Sequence, residues 1–277
     1  MKNEQLDDFK RILEIKRYSK QTIASYLSHL KLVYIFFNYE SFQFIKDKDL
    51  FDYVYHLVNT KKISASTQRQ VVGSLKLFYK EIYNREVPFH YLKVSQRENK
   101  IPVVLSKKEV KLIIDSAHNI KHKAILSMLY GSGLRIGELL ELRVKDIDSH
   151  RMTVYIRQAK GKKDRYSILS PKVLELLREY FQKYKPKVYL FEGQKGGKYT
   201  SSSSAKVFKQ TLLRSGIKKR ATLHTLRHSF ATHLLEDGVG ISHIQKLLGH
   251  NSIKTTLIYT HIANDSLMNI KSPFDNL

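Results

Sequence analysis

Apolar residues between Glu4 and Tyr83 recur at steps of three and four, and that period commits the early part of the chain to amphipathic helices. The second of these helices shows the pattern most fully. Ile23, Tyr26, Leu27, Leu30, Val33, Tyr34 and Phe37 line one stripe, which Ser19 or Lys20 opens. A third helix is expected from Asp47 to Asn59 with Leu50, Val54 and Leu57 inward, and a fourth from Ser66 to Tyr83 with Val71, Leu75, Phe78 and Ile82. Four such helices can close into a small bundle. Its aromatic side chains fall on the apolar stripes, so they read as core residues and not as platforms for stacked bases.

The period fails between Val87 and Pro102, where two prolines and the basic residues Lys93, Arg97 and Lys100 interrupt a polar stretch. This reads as a linker, which divides the chain into a helical domain over 1–86, a basic connection over 87–103 and a second domain over 104–277. Ser106 is placed to cap a helix carrying Val110, Ile113 and Ile114, and another runs from Lys121 to Tyr130 and ends at Gly131 or Gly133. The next begins near Leu134. Met152 to Ile156 and Tyr166 to Leu169 have strand character, and the polar residues Lys160 to Asp164 suit the tip of a hairpin between them. Gly193 to Ser204 reads as an exposed loop leading to another helix start, and the chain is helical again from Leu223. The expected fold is therefore mainly α with a small antiparallel β-sheet in the second domain.

A chain of 277 residues can bury two cores, and its 42% hydrophobic and 27% charged residues set it apart from disordered sequences. Lys and Arg number 49 against 25 Asp and Glu, a formal charge of +24 that points to a polyanionic partner. Basic residues can also simply be solvated. Their distribution matters here: 17 basic against 10 acidic residues up to Arg97, then 32 against 15 beyond it, so both parts carry the excess. Cysteine is absent, which excludes disulfides, thiolate metal sites and cysteine nucleophiles. The N-terminus has no apolar signal core and no run approaches a membrane span, so a cytoplasmic protein is expected.

Three segments concentrate residues suited to phosphate. In Gly131-Ser132-Gly133-Leu134-Arg135-Ile136-Gly137-Glu138, the glycines allow a tight turn and Arg135 sits just inside a helix start, where a guanidinium can meet phosphate oxygens bidentately. Arg135 can equally pair with Glu138, three residues on; a carboxylate that holds a guanidinium also pre-organises it. The second segment, His224-Thr225-Leu226-Arg227-His228, places His224, Arg227 and His228 at neighbouring positions of one helix. Two histidines four apart also suit a metal, but the glutamate that zinc peptidases hold between them is missing. In the third, Leu247-Leu248-Gly249-His250, Gly249 ends a helix and Asn251 or Ser252 caps the next, which carries Tyr259. A lone tyrosine on such a helix is ordinarily core.

In order and approximate spacing, the Arg135 segment, His224-x-x-Arg227, Leu247-Leu248-Gly249-His250 and Tyr259 resemble the tyrosine recombinases of the lambda-integrase and Xer family. The motif match covers about Val104 to the C-terminus, and the helical first domain with its linker resembles the family's core-binding domain. The resemblance implies that Arg135 and Arg227 clamp a phosphate, that His224 and His250 bond it, and that Tyr259 is the nucleophile. It further implies a general-acid lysine on the hairpin, for which Lys160 matches best while Lys162 and Lys163 stay open. His228 fits the family's pattern in a packing or hydrogen-bonding role, and neither His233 nor His261 has a reacting one.

The same resemblance implies cleavage through a 3′-phosphotyrosyl ester, two strand exchanges through a Holliday junction, and a tetramer on double-stranded DNA at specific sites. The free protein is then a monomer or dimer, and an accessory protein is an open question. Neither metal nor ATP is required by such chemistry. Apolar Ile262, Leu267, Ile270 and Phe274 beyond Tyr259 suit a tail that docks on a neighbouring protomer or on its own domain. A non-catalytic DNA-binding relative and a type IB topoisomerase are the competing classes. All six positions of the reacting set are filled, which weighs against the first, and the helical N-terminal domain and Leu-Gly-His segment look less like the second.

Overall fold

A computed structural model describes residues 4–38, 41–89, 102–159, 163–194 and 196–260. By its contacts the chain divides into two compact units, Met1–Asn99 and Lys100–Leu277. Most of the expected connection and the whole tail beyond Thr260 lie outside the described residues.

The first unit contains helices α1 (Glu4–Ile15), α2 (Lys20–Phe36), α3 (Asp47–Asn59) and α4 (Ala65–Tyr83). Ser19 caps α2 by accepting from the Thr22 N–H, and Ser64 caps α4 by accepting from the Thr67 N–H, so α4 starts one residue before the expected Ser66. Ile23, Leu30 and Val33 from the α2 stripe are buried with Phe9, Leu13, Leu50, Val54, Leu75 and Phe78 in one core. Phe78 sits edge-on to Phe9 and Phe42, and the buried Tyr79 hydroxyl donates to the Phe42 carbonyl at 3.0 Å. Of the stripe aromatics Phe78 is core while Tyr26, Tyr34 and Phe37 are half-buried against it, whereas Phe36, Phe44 and Tyr55 remain exposed.

The second unit is built around α6 (Ile120–Gly131), in which Ala124 to Leu129 are all buried. A helix covered on every side needs apolar or satisfied residues all round. Before it comes α5 (Lys107–Asp115), where the Ser106 hydroxyl accepts from the Glu109 N–H and Glu109 accepts in return from the Ser106 N–H. After it follow α7 (Ile136–Glu141), a single 3₁₀ turn, and three antiparallel strands in the order β1 (Ile147–Asp148), β2 (Thr153–Ala159) and β3 (Lys163–Ile168).

β2 and β3 pair with Tyr155 opposite Tyr166 and Ile156 opposite Arg165. Both run further towards the hairpin tip than β-propensity suggested. Side chains alternate across a strand, so Tyr166 and Ile168 face outward while Ser167 is buried and Arg165 turns inward with it.

Helix α8 (Pro171–Tyr184) has no counterpart in the sequence expectations, although Pro171 at its first position and the buried stripe Val173, Leu177 and Tyr180 are the signals that announce it. Helix α9 (Ser201–Arg214) starts earlier than expected: Thr200 caps it, so Ser201 to Ser204 form its first turn. Then come α10 (Leu223–Glu236), α11 (Ile241–Leu248) and the short α12 (Lys254–Leu257). Ile253, not Asn251 or Ser252, occupies the capping position of α12. Among the described residues no helix is long and apolar enough to cross a membrane.

Candidate active site

A buried carboxylate is tolerated only where donors replace the water it loses. Glu138, on α7 and 8% exposed, is provided for in this way. Its Oε1 accepts from Arg135 Nη1 at 2.7 Å and Arg165 Nη1 at 2.8 Å. Its Oε2 accepts from Arg165 Nη2 and the Arg135 backbone N–H, each at 2.8 Å, with Arg227 Nη1 3.6 Å away. Burial alone would raise the Glu138 pKa, but the bonds from Arg165 and Arg135 bring it down to about 2. One negative charge thus sits among three guanidiniums, and the cluster keeps a positive surplus.

Arg135 occupies the capping position of α7 in extended conformation, and so lies one step outside the helix start where the sequence placed it. Arg227, on α10, is 0% exposed. Its Nη1 donates to the Gly133 carbonyl at 2.7 Å and its Nη2 to the Leu248 carbonyl at 2.6 Å. Burial first, and then the nearby Arg135, press its pKa down to about 9, which leaves the guanidinium charged at neutral pH. The buried Arg227 Nε has no partner among the described residues, so the side chain retains an unused donor.

Two glycines make these bonds possible. Gly133 has φ +59°, and a Cβ there would stand 2.4 Å from the Phe230 ring. Gly249, with φ +63°, ends α11; its Cβ would lie 2.8 Å from Arg165 Cδ. Arg165 Nε donates to the Leu247 carbonyl at 2.9 Å, so the end of α11 is bound to β3 as well as to α10.

His250 follows directly. Arginine has no acceptor, so at the 3.2 Å contact between Arg227 Nη2 and His250 Nε2 the imidazole accepts. Nδ1 then carries the hydrogen and donates to Thr256 Oγ1 at 2.9 Å. Burial, then Arg227 and Arg135, hold the His250 pKa down to about 3, consistent with a neutral ring.

Tyr259 lies in the turn after α12, not on a helix, and is 1% exposed. The His250 ring stacks near-parallel to it with centroids 6.4 Å apart. Its hydroxyl is 3.0 Å from His228 Nδ1. Burial raises the Tyr259 pKa while Arg227 and Arg135 oppose the rise. His224 packs its ring against His228 at 4.4 Å and stays open to solvent; burial of part of the ring, with Arg227 and Arg135, lowers its pKa.

The fold therefore gathers Arg135, His224, Arg227, His250 and Tyr259 from α7, α10 and the segments around α12. Lys160 and Lys162 lie outside the described residues, as does His261, and β3 begins at Lys163. His233 is buried, with its Nδ1 2.9 Å from the Tyr130 hydroxyl. Arg165 stands outside the residues expected from the sequence. The available signal was strand parity: once β3 extends back to it, Arg165 shares the inward face of Ser167 and Leu169. Among the described residues no group of three His, Asp or Glu side chains is arranged to hold a metal ion.

Guanidiniums fixed around a buried carboxylate, with imidazoles and a tyrosine beside them, are groups chemically suited to an anion such as a phosphodiester. Comparisons with known proteins give the family. Residues 103–265 match the model of the phage integrase family, and residues 6–88 match that of the phage integrase N-terminal SAM-like domain. A Sinorhizobium fredii protein described as an integrase/recombinase is 36% identical over 96% of this chain and 86% of its own length. Tyrosine recombinase XerD of Oceanobacillus iheyensis is 31% identical over 95% of each chain. The crystal structure of XerH site-specific recombinase bound to palindromic difH substrate, a post-cleavage complex, superimposes with a TM-score of 0.72 at 25% identity, over 88% of this chain and 77% of that one. This chain belongs to the phage integrase family, and it is a tyrosine-type site-specific recombinase.

Proposed function

We propose that this recombinase cleaves and rejoins DNA through a 3′-phosphotyrosyl ester formed by Tyr259. The observation that carries the reading is the cluster of Arg135, Arg165 and Arg227 around Glu138, with Tyr259 and the histidines beside it. A phosphodiester is anionic and gains negative charge on its nonbridging oxygens during attack, so pre-placed cations favour the transition state. Arg135 and Arg227 clamp those oxygens, the Arg227 Nε supplying a donor otherwise unpaired. His224 and His250 add hydrogen bonds. A phosphate beside His250 would raise its depressed pKa and let Nε2 donate. The 5′ oxygen leaves as an alcohol once protonated, a step assigned to Lys160. The ester conserves the broken bond, so a hydroxyl from another strand can reseal it without ATP or metal.

The substrate is double-stranded DNA carrying specific sites, by analogy with XerH site-specific recombinase, whose crystal structure holds its palindromic difH substrate. Residues 1–86 serve as the core-binding domain, 87–103 as a basic linker, and 104–277 as the catalytic domain. Exchange proceeds through a Holliday junction within a homotetramer in the cytoplasm.

The decisive experiment incubates wild-type protein and Tyr259→Phe with nicked duplexes and Holliday junctions, then resolves covalent adducts by denaturing electrophoresis. A chelator-resistant adduct with wild type alone is expected. Equal adducts from Tyr259→Phe would remove Tyr259 as nucleophile; tight binding with no adduct on any DNA would favour a non-catalytic relative.

A further inference from the structure

A tyrosine that attacks phosphorus must lose its proton, and the arginines that surround the site, being permanently charged, cannot take it. The buried Tyr259 hydroxyl has one described hydrogen-bonding neighbour, His228 Nδ1 at 3.0 Å. A hydroxyl at 1% exposure whose hydrogen pointed elsewhere would leave a buried donor unpaired. The satisfied arrangement is a phenol that donates to an unprotonated Nδ1, with the imidazole hydrogen on Nε2. Neither of the family-type histidines is placed as well. His250 spends Nδ1 on Thr256 and Nε2 on Arg227, and His224 has no described hydrogen bond to the hydroxyl.

Resting on the reading of Tyr259 as nucleophile, we infer that His228 is a further catalytic residue, the general base that takes the phenolic proton as Tyr259 attacks. The Tyr259 O–H bond breaks and its proton passes to His228 Nδ1, the phenolic oxygen forms a bond to phosphorus, and the bond from phosphorus to the 5′ oxygen breaks. The leaving oxygen receives its proton separately, from the general acid. In resealing, His228 returns its proton to the departing Tyr259.

The groups facing His228 set its readiness. His224 and Arg227 lie on its own helix, and Tyr259 comes from the turn after α12. Burial, then His224 and Arg227, lower the His228 pKa to about 4, so the ring is unprotonated at neutral pH. A phosphate entering among the arginines brings a negative charge that favours the imidazolium at the moment it must form. The base is therefore silent without DNA and strengthened by it.

The test begins with nicked duplexes drawn from a randomised pool by covalent capture on wild-type protein. Single-turnover adduct rates are then measured from pH 5 to pH 10 for wild type, Tyr259→Phe, His228→Ala and His228→Asn. Asparagine Oδ1 sits where Nδ1 sat, so it can accept the bond but not the proton, which separates positioning from proton transfer. Wild type should level off above the His228 titration. Both His228 variants should be slower by about 100-fold at neutral pH, with rates that climb about tenfold per pH unit towards the phenol pKa. Wild-type rates in both variants, rates at neutral pH above those of wild type, or slow rates with the wild-type pH profile would each overturn the inference. Failure of wild-type capture, or adducts from Tyr259→Phe, would instead overturn the nucleophile reading beneath it. Nitrogen-15 spectra of histidine-labelled free protein give a second readout independent of turnover. His228 Nδ1 should appear unprotonated and shift in Tyr259→Phe, and a protonated Nδ1 would overturn the inference.

Discussion

Glu138 shows how a residue that does no chemistry can govern a site. Its carboxylate spaces Arg135, Arg165 and Arg227, and without it three guanidiniums would repel one another in a partly dry environment. The pKa held down to about 2 means that the folded state binds this proton less readily than the unfolded chain does. That stabilisation is fully present above the ordinary carboxylate value near 4.5 and is lost as pH falls towards 2. It amounts to roughly 3–4 kcal/mol. Glu138→Gln should lose about that much at pH 7 and little at pH 2.5, as measured by urea unfolding at each pH. An equal loss at both would show that the charge is not what holds the arginines. His228 and His250 act in the same direction at higher pH: their depressed values favour the unfolded state as pH falls below 6.5.

Elements reach the site through turns whose backbone excludes most side chains. The α6 to α7 connection passes through Gly133, where positive φ and contact with Phe230 leave no room for a Cβ and where the carbonyl receives Arg227. Gly133→Ala should cost about 2–4 kcal/mol in stability from strained backbone and displaced Phe230. Urea midpoints would measure the loss, and adduct formation on DNA should fall with it because Arg227 loses its anchor. An unchanged midpoint would show that the turn relaxes freely. The comparable turn at Gly249 orients the Leu248 carbonyl towards Arg227 and releases His250 towards the same guanidinium.

For the whole molecule, a charge of +24 spread over both parts of the chain should make DNA binding an exchange of counterions for Lys and Arg. Affinity for duplex DNA should drop about 10³-fold or more between 50 and 200 mM salt, with a linear dependence of log K on log salt. Fluorescence titration of a labelled duplex measures the slope. A shallow slope would mean that the basic excess is solvated surface and not the DNA-facing one. Because phosphate contacts carry no base information, this slope should be similar for specific and random sequences, while the affinity itself differs.

Most helices with one buried face were legible in the sequence, α8 being the exception, because a stripe such as Ile23 to Phe37 is a local pattern that needs no partner to be seen. The motif residues Arg135, His224, Arg227, His250 and Tyr259 were legible too, since their spacing in the chain carries the family resemblance. Arg165 was not, because its place depends on how far β3 extends and on which strand it pairs with. Nor could sequence show that His228 meets the Tyr259 hydroxyl, for those residues are 31 apart and joined only by the packing of α10 against the turn after α12. Local periodicity and spacing follow from bonded neighbours, so most of the helices and the family's motif positions could be read from the chain alone. Hydrogen bonds across distant segments depend on tertiary packing, and only the folded structure decided that Glu138 would organise three arginines and that Tyr259 would rest against His228.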